Sequence, residues 1–250
     1  MARTVVVTGG SNGIGRAIAA RFARDGAQVF ITGRAEKAVL AAAEELDADT
    51  PGNVVGVACD STDPQQLSAL ITRLGESVDV LVNASGGLVP GEGADGGADG
   101  GDPLEELKKT WNSYVAQNVL GAVLTTAAVR GLLGSGSSVV SLGSIGAERR
   151  GGAYGAAKAA LAAWSAGLSA ELGPLGVTVN VVAPGYIEGT GFFLGAMTDA
   201  RHELLVAETY DGRAGTPQDV AELVFFLGSP GARHLTGQTI HLNGGAFTTR

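Results

Sequence analysis

The 250-residue chain is poor in cysteine, aromatic residues and charged residues. Cys59 is its single cysteine, which excludes an intramolecular disulfide framework and a cysteine-rich metal site. The 17 lysines and arginines face 25 aspartates and glutamates, so the formal net charge is -8. A protein that binds a phosphate backbone normally shows a clustered basic surface, so this balance argues against a nucleic-acid partner. The three histidines are scattered without ligand spacing, and no metal site is predicted.

Long apolar runs are also lacking. The longest stretch, 119–133, is interrupted by Thr125, Thr126 and Arg130. It falls short of the roughly 20 residues that a membrane-spanning helix needs. The first residues lead into an apolar run too short for a signal-peptide core. We therefore expect a cytoplasmic protein without a membrane partner.

Short β-branched runs alternate with longer helical patterns along the chain. Strands are predicted at 4–8, 28–32, 54–58, 78–82, 139–142 and 177–182. Helices are predicted at 14–24, 36–46, 64–74, 103–133 and 154–172. Continuous apolar strands separated by helices indicate a parallel sheet covered on both faces. The sequence thus predicts one α/β domain over 1–250 with a doubly wound Rossmann fold, a parallel seven-stranded sheet with helices on both faces.

Glycine is abundant, with 40 residues and no G-X-Y period, which excludes a collagen helix and implies many tight turns. Residues 91–102 form a low-complexity stretch of glycine, aspartate, glutamate and alanine. Glycine-rich backbone is costly to order, so we expect a mobile surface loop over about 88–102. A tolerated insertion and a gate for substrate both stay open as interpretations.

A glycine-rich turn joins the first predicted strand to the first helix. Gly9, Gly13 and Gly15 follow a G-x-x-x-G-x-G pattern, which differs from the common G-x-G-x-x-G. Glycines at such a turn let a pyrophosphate approach the backbone amides at the positive end of the helix. The turn therefore predicts a dinucleotide site.

A phenol and an ammonium group lie four residues apart on a predicted helix, at Tyr154 and Lys158, and so share one helix face. A tyrosine with a pKa near 10 is a poor acid–base group at neutral pH, and a fixed cation nearby favours its phenolate. Ser144 follows the predicted strand 139–142, at the edge where open α/β sheets bind ligands. Ser141 is the competing serine.

These motifs, taken in chain order, resemble the short-chain dehydrogenase/reductase family along essentially the whole chain, and 3-oxoacyl-carrier-protein reductases look closest. The matching positions are Thr8-Gly9-x-x-x-Gly13-x-Gly15, Asp60, Asn83-Ala-Ser-Gly86, Asn118, Ser144, Tyr154-x-x-x-Lys158, Pro184-Gly185, Thr236-Gly237-Gln238 and Asn243-Gly244-Gly245.

The resemblance implies a catalytic set of Asn118, Ser144, Tyr154 and Lys158. Tyr154 would donate a proton to the substrate carbonyl oxygen while a nicotinamide hydride reaches the carbon, and oxidation would run in reverse. Lys158 would lower the pKa of Tyr154 and bind the nicotinamide ribose, and Ser144 would orient the carbonyl. Asn118 would hold a water in a proton relay; a helix-kink or capping role is its alternative.

The resemblance also implies a set of dinucleotide-binding residues. They are Gly9, Ser11, Asn12, Gly13, Ile14, Gly15, Arg34, Asp60, Ser61, Asn83, Ala84, Gly86, Tyr154, Lys158, Pro184, Gly185, Ile187 and Thr190. Asp60 would accept from the adenine amino group or cap the following helix. Gly33 replaces the acidic residue of NAD-dependent members, and Arg34 suits a 2′-phosphate. NADP(H) is favoured and NAD(H) is the alternative; Arg34 is otherwise an exposed charge at a helix start.

Three further features bear on the substrate. Residues 188–212 resemble the family's mobile substrate lid, and their apolar side chains predict either a hydrophobic substrate or a dimer contact. Carrier-protein reductases usually present basic residues before the fifth and sixth strands, but 134–138 and 173–176 have none. Arg149 and Arg150 are either ligands for an anionic substrate or a solvated pair.

The helix 154–172 is rich in alanine on all sides, so its outer face is expected to be covered as well. The family uses this helix at a two-fold interface, which implies a homodimer or homotetramer. The predicted function is NADPH-dependent reduction of a small-molecule ketone to a secondary alcohol. An NAD-dependent secondary-alcohol dehydrogenase and a dinucleotide-binding regulatory protein without turnover are the alternatives.

Overall fold

A single seven-stranded sheet organises the computed structural model, which describes residues 2–50, 53–89, 102–149 and 152–249. All its strand pairs are parallel, and the strand order is β3-β2-β1-β4-β5-β6-β7. The strands are β1 (Thr4–Thr8), β2 (Gln28–Gly33), β3 (Val54–Ala58), β4 (Val80–Asn83), β5 (Ser138–Leu142), β6 (Thr178–Pro184) and β7 (Thr239–Leu242). The predicted doubly wound α/β fold is confirmed.

Helices connect these strands. They are α1 (Gly13–Arg24), α2 (Glu36–Asp49), α3 (Pro64–Ile71), α4 (Pro103–Val115), α5 (Gly121–Val129), α6 (Gly146–Arg149), α7 (Gly152–Leu172), α8 (Asp199–Ala207) and α9 (Pro217–Leu227). Short 3₁₀ turns lie at Arg130–Leu132, Gly173–Leu175 and Pro230–Ala232, and a π-helical turn lies at Ala116–Leu120.

The sheet is buried on both faces, and β1 shows how its side chains divide. Val5 and Val7 contribute to a core with Ile18 and Phe22 of α1, whereas Val6 points into the opposite core. All three valines are fully buried. Successive strand side chains point to opposite faces, so an uninterrupted apolar strand needs helices on both sides.

The predicted helix 103–133 is divided in the structure. The Gly121 amide bonds to the Ala116 carbonyl, five residues back, which widens the helix by one residue at the π turn. The sequence patterns also missed α8, α9 and the position of β7. For α9 a signal was available, because Thr216 and Asp219 form a capping box around Pro217.

Residues 103–132 are long and apolar enough to cross a membrane by length and composition alone. One such segment is weak evidence, because the core helices of soluble proteins pass the same test. Here the segment is interrupted by the π turn, and α5 packs against α3 and β4.

The winding direction reverses between β1 and β4. Thr8 at the end of β1 lies beside both Thr32 of β2 and Asn83 of β4. In open parallel sheets the carboxyl ends of strands at such a switch point frame a crevice that binds ligands. The same edge carries the ends of β5 and β6, at Leu142 and Pro184.

Candidate active site

A cleft opens along this edge of the sheet. It is lined by Gly9, Asn12, Gly13, Ile14, Gly15, Ala84, Gly86, Gly87, Leu88, Leu142, Gly143, Ser144, Tyr154, Lys158, Pro184, Gly185, Tyr186, Ile187, Thr190, Gly191, Phe192, Phe193 and Leu194. Of these described lining residues, Lys158 alone carries a charged side chain. We call the part beside α1 the nucleotide half and the part beside Phe192 the substrate half.

Backbone crowding explains the glycines of the nucleotide half. Gly9 has a φ of +66°, and a Cβ there would lie 3.0 Å from the Ala84 carbonyl oxygen. A Cβ on Gly15 would collide with the Gly9 carbonyl oxygen. Only glycine lets the turn fold this tightly and hold β1, α1 and the chain after β4 together.

The N-terminus of α1 lacks both a side-chain cap and an acidic first turn, whereas α2, which also lacks a side-chain cap, carries Glu36 in its first turn. The N-cap of α1, Asn12, makes no side-chain cap hydrogen bond. In contrast, the side chains of Asp63, Asp102, Thr198 and Thr216 cap α3, α4, α8 and α9. The first amides of α1 therefore keep their donors for a ligand, and the helix dipole favours an anionic one. This end of the cleft fits a pyrophosphate.

The chain after β4 is held against the glycine turn. The Thr8 hydroxyl oxygen accepts from the Ala84 and Ser85 amides, at 3.1 Å each. Gly86 has a φ of +138°, and a Cβ there would lie 2.7 Å from Asn118 Oδ1. The backbone of Ala84 and Gly86 thereby reaches the cleft.

Ser144, Tyr154 and Lys158, three of the four predicted catalytic residues, come together in the cleft lining. Lys158 is buried, donates to the Leu142 carbonyl at 2.8 Å, and lies 5.8 Å from the centroid of the Tyr154 ring. The Ser144 hydroxyl accepts from the Gly146 amide at 3.0 Å and is hydrogen-bonded to Tyr154. Ser141 is fully buried and is not among the cleft-lining residues, whereas Ser144 lines the cleft.

Burial dominates the protonation of this group. Burial raises the pKa of Tyr154 to about 12, although the hydrogen bond with Ser144 lowers it in part and Tyr114 raises it further. Burial lowers the pKa of Lys158 to about 8. Removal from water outweighs the other contributions at this phenol, and the effect of Lys158 on the pKa of Tyr154 stays a prediction.

Asn118 lies in the π turn and is almost fully buried. Its Nδ2 donates to the carbonyls of Gly87 and Tyr114 at 3.1 and 3.2 Å, and its Oδ1 accepts from the Gly87 amide at 2.9 Å. The side chain thus fastens the chain after β4 to the helix. This is the helix-kink position that the sequence left open.

Several predicted nucleotide residues lie outside the cleft lining. They are Ser11, Arg34, Asp60, Ser61 and Asn83. Asp60 accepts from the amide and hydroxyl of Thr62, whereas Asp63 is the residue that caps α3, so the capping alternative for Asp60 is wrong. Ser61 is buried beneath Gly121, and buried Asn83 donates to the Thr126 hydroxyl at 3.1 Å.

The end of β2 carries the residues predicted to choose between the two nucleotides. A Cβ on Gly33 would lie 3.4 Å from Ser11 Oγ, so a longer side chain at this position would point toward the glycine turn. Arg34 is exposed, and it makes no hydrogen bond or ion pair with any residue in the described ranges.

Pro184, Gly185, Ile187 and Thr190, which are predicted to bind the dinucleotide, line the cleft. A backbone bridge pairs Ile187 with Gly215, on the far side of the lid segment (residues 188–212). The Thr190 hydroxyl donates to the Ile187 carbonyl at 3.3 Å. Both ends of the lid segment are therefore joined to each other at the edge of the cleft.

Aromatic rings surround the Tyr154 phenol, and although the sequence analysis placed two of them in the lid segment, it did not predict these ring contacts. The Tyr154 ring packs edge-on against Tyr114 at 6.2 Å and against Phe192 at 5.6 Å between centroids. Phe193 packs against Phe192 and Tyr186 at 5.0 and 5.9 Å. The available signal was the pair Phe192-Phe193 between glycines in a chain with few aromatic residues.

The remaining predictions concern the rim of the cleft. Arg149 pairs with Glu208 at 2.8 Å, while Arg150 lies outside the described residues. Most of the predicted loop 88–102 also lies outside them, at 90–101. Within the described parts of the chain, no cluster of three or more metal-ligating side chains occurs.

A dinucleotide cleft at the switch point of a parallel sheet, with a Ser–Tyr–Lys group at its centre, defines an NAD(P)-dependent oxidoreductase. The family model described as Enoyl-(Acyl carrier protein) reductase matches residues 9–247. The chain belongs to the short-chain dehydrogenase/reductase family.

Known proteins similar to the chain cover almost its full length. The 3-oxoacyl-[acyl-carrier-protein] reductase FabG of Escherichia coli is 34% identical over 255 residues, which cover 98% of this chain and 97% of that protein. A short-chain dehydrogenase of Burkholderia cenocepacia, solved in complex with NADP, is 33% identical, with a TM-score of 0.81 over 98% of this chain and 97% of the other. A 3-oxoacyl-[acyl-carrier protein] reductase of Brucella melitensis with bound NAD is 30% identical, with a TM-score of 0.84 over 99% and 92%.

Proposed function

We propose that this protein reduces the carbonyl group of a small or medium, apolar and uncharged ketone to a secondary alcohol, with NADPH as the hydride donor. The observation that carries this proposal is the convergence of Ser144, Tyr154 and Lys158 on one cleft with the uncapped N-terminus of α1. When bound, the dinucleotide supplies the hydride.

The catalytic residues divide the remaining work. The Ser144 hydroxyl orients the carbonyl oxygen, and the Tyr154 hydroxyl donates its proton to that oxygen as charge develops there. Burial raises the pKa of Tyr154 to about 12, so the phenol is protonated at neutral pH and is ready to act as the acid. The Lys158 ammonium is held at the Leu142 carbonyl, where its charge stabilises the phenolate that forms.

Asn118 is a positioning residue in this proposal. Both polar atoms of its side chain are hydrogen-bonded to backbone groups. A water relay at Asn118 would therefore use the backbone carbonyl group of this residue. The nucleotide would be held by the amides of Gly13, Ile14 and Gly15 at its pyrophosphate and by Lys158 at its nicotinamide ribose. Asp60 and Ser61 would meet the adenine, and Ile187 and Thr190 the carboxamide.

The preference for NADPH rests on Gly33 and Arg34. Gly33 presents no carboxylate to the ribose hydroxyls, and the exposed Arg34 guanidinium has no partner among the described residues. Such a planar cation suits a 2′-phosphate, which only NADP carries. The NADP-bound Burkholderia cenocepacia neighbour supports this choice, whereas the NAD-bound Brucella melitensis neighbour supports the alternative.

Fluorescence titration with NADPH and NADH tests this preference. The unmodified protein should bind NADPH at least tenfold more tightly, a difference of about 1.4 kcal/mol. Arg34→Asp should abolish the difference, whereas Arg24→Asp, the same charge change at the far end of α1, should leave it unchanged. Equal or tighter NADH binding by the unmodified protein would favour an NAD-dependent alcohol dehydrogenase. Binding of either nucleotide without reduction of any ketone would favour the regulatory protein.

A carrier-protein-linked substrate has less support. Residues 134–138 and 173–176 carry no basic side chain of their own. Arg233 does reach the first of these segments and donates to the Ser137 carbonyl at 3.4 Å. Arg233 alone, in a chain with a net charge of -8, offers little electrostatic attraction for an acidic carrier protein.

We also propose that the protein is a homodimer or homotetramer. The outward face of α7 exposes mainly small residues, with Glu171 at its end, and α4 exposes a stripe of large apolar ones beside it. The small residues are Ala156, Ala159, Ala160, Ala163, Ala166, Gly167 and Ala170; the large ones are Leu104, Leu107, Trp111 and Val115. An exposed apolar area of this kind marks an interface. Light scattering at micromolar concentration should therefore give a mass of at least twice 25.0 kDa, and a 25.0 kDa species would contradict the proposal.

A further inference from the structure

The substrate half of the cleft is closed by Phe192, a residue to which the proposed mechanism gives no task. Its ring packs edge-on against the Tyr154 ring at 5.6 Å, with an angle of 62° between the planes. On the opposite side, Phe192 Cδ2 lies 4.0 Å from the position that a Cβ on Gly87 would take. Phe192 therefore reaches from the catalytic phenol to the chain after β4, which is the width of the cleft at this point.

The Phe192 wall is supported from behind. Phe193 packs at 87° against it, and Tyr186 packs against Phe193 in turn. The Tyr186 hydroxyl is hydrogen-bonded to His202 Nδ1 of α8 at 2.8 Å, and the Arg201 guanidinium lies 4.9 Å from the Phe193 ring centroid. Each ring is thus held by a neighbour that is anchored elsewhere, so the wall has a defined position rather than a loose one.

The backbone at the tip of the lid segment also shows that Phe192 is held in place. Leu194 is the one non-glycine residue in the described ranges with a positive φ, of 52°. A bulky residue adopts this conformation only when its surroundings compensate for the strain. The Leu194 amide donates to the Gly191 carbonyl at 3.1 Å and the Ala196 amide donates to the Phe193 carbonyl at 2.9 Å, so backbone hydrogen bonds fix the tip.

We propose that Phe192 is the specificity-determining residue that sets the largest apolar substituent a ketone may carry at this site. The inference rests on the proposed ketone reduction. Lys158 is the one charged side chain among the described lining residues, and it belongs to the catalytic set, so the substituent that meets Phe192 is uncharged. Phe192→Ala removes one benzene ring from the wall and opens room for a substituent about one fused ring larger.

The test compares three ketones with NADPH, namely 2-butanone, acetophenone and 2-acetonaphthalene. The unmodified enzyme should prefer acetophenone to 2-acetonaphthalene in kcat/KM by about tenfold or more, since hydrophobic pockets discriminate by size at roughly this level. Phe192→Ala should reverse or remove that preference, while kcat/KM for 2-butanone changes by less than about threefold. Phe192→Leu should fall between the two.

The control is Leu204→Ala on α8, an exposed lid residue that does not line the cleft. It should keep the ratios of the unmodified enzyme. If Phe192→Ala lowers kcat/KM for all three ketones by the same factor, or leaves their ratios unchanged, the inference is wrong and Phe192 only supports the fold.

Binding separates this inference from the proposed function. Saturation-transfer NMR of the same ketones, with NADP⁺ present, measures size selectivity without turnover. A change of selectivity in Phe192→Ala, with no ketone reduced by the unmodified protein, contradicts the proposed function and supports the inference. Reduction of ketones with unchanged selectivity in both measurements contradicts the inference alone.

Discussion

The two halves of the cleft are lined by different parts of the chain, one by backbone and the other by side chains. The nucleotide half is walled by backbone, with Gly9 and Gly15 packed against carbonyl groups and the first amides of α1 left free of caps. The substrate half is walled by side chains, namely the rings of Phe192, Phe193 and Tyr186. The nucleotide half needs glycines to leave room for the backbone, so it tolerates few substitutions. A side-chain wall can be altered one residue at a time, so a substitution there changes the substrate half without changing the backbone of the nucleotide half.

Tyr154 lies where the two halves meet, and its removal should give the largest effect. Tyr154→Phe should lower kcat for ketone reduction by about 10²- to 10⁴-fold, because a positioned acid contributes that much, while NADPH binding is retained. Stopped-flow hydride transfer and nucleotide titration measure the two separately. Tyr210→Phe, at a tyrosine that is 82% exposed, is the matched control. A parallel loss of nucleotide binding would mean that the phenol supports the nucleotide half as well.

Gly15→Ala should weaken nucleotide binding without altering the substrate half of the cleft. Its Cβ would collide with the Gly9 carbonyl oxygen, and overpacking of this kind costs about 1–3 kcal/mol. We expect NADPH binding to weaken by about 10- to 100-fold, with a lowered melting temperature. Gly131→Ala in the 3₁₀ turn Arg130–Leu132, where a Cβ meets nothing within 4 Å, should leave binding unchanged. Undiminished binding in Gly15→Ala would show that the turn is not built by backbone crowding.

The pH dependence of ketone reduction tests the role of Lys158 at the centre of the cleft. Burial lowers the pKa of Lys158 to about 8, so kcat/KM for reduction should fall about tenfold per pH unit above pH 8 as its ammonium charge is lost. Lys158→Arg keeps the positive charge, so the fall in kcat/KM should begin at a higher pH.

Unfolding measurements separate this loss of activity from a loss of structure. The pKa of Lys158 in the folded protein lies below its ordinary value of 10.5, so the unfolded chain binds more protons between pH 8 and 10.5. The Lys158 contribution to the free energy of unfolding therefore rises with pH in this window while activity falls. A fall in both together would contradict the assignment.

The two halves also differ in how far the sequence predicted them. The glycine turn, β1 and α1 follow from local patterns, because steric exclusion at Gly9 and Gly15 acts over a few residues. Tyr154 and Lys158 share a helix face, which spacing alone predicts. The ring contacts of Tyr114 and Phe192 with Tyr154 join segments far apart in the chain, and no local pattern specifies them.

The same limit applies to charge and to the last elements. The phenol of Tyr154 has a raised pKa because it is buried, and burial depends on the whole fold rather than on Lys158 four residues away. The strand β7 is partly exposed along its length, so its sequence lacks the buried apolar run that identified the other strands.

Asn118 fixes the chain at Gly87, and the capping carboxylate of Asp102 fixes the start of α4. The chain is therefore anchored by its own hydrogen bonds on both sides of residues 90–101, at Gly87 before them and at Leu104 after them. Each anchor is a contact between a side chain and a backbone amide within a few residues of that stretch, so the two ends are held independently of each other.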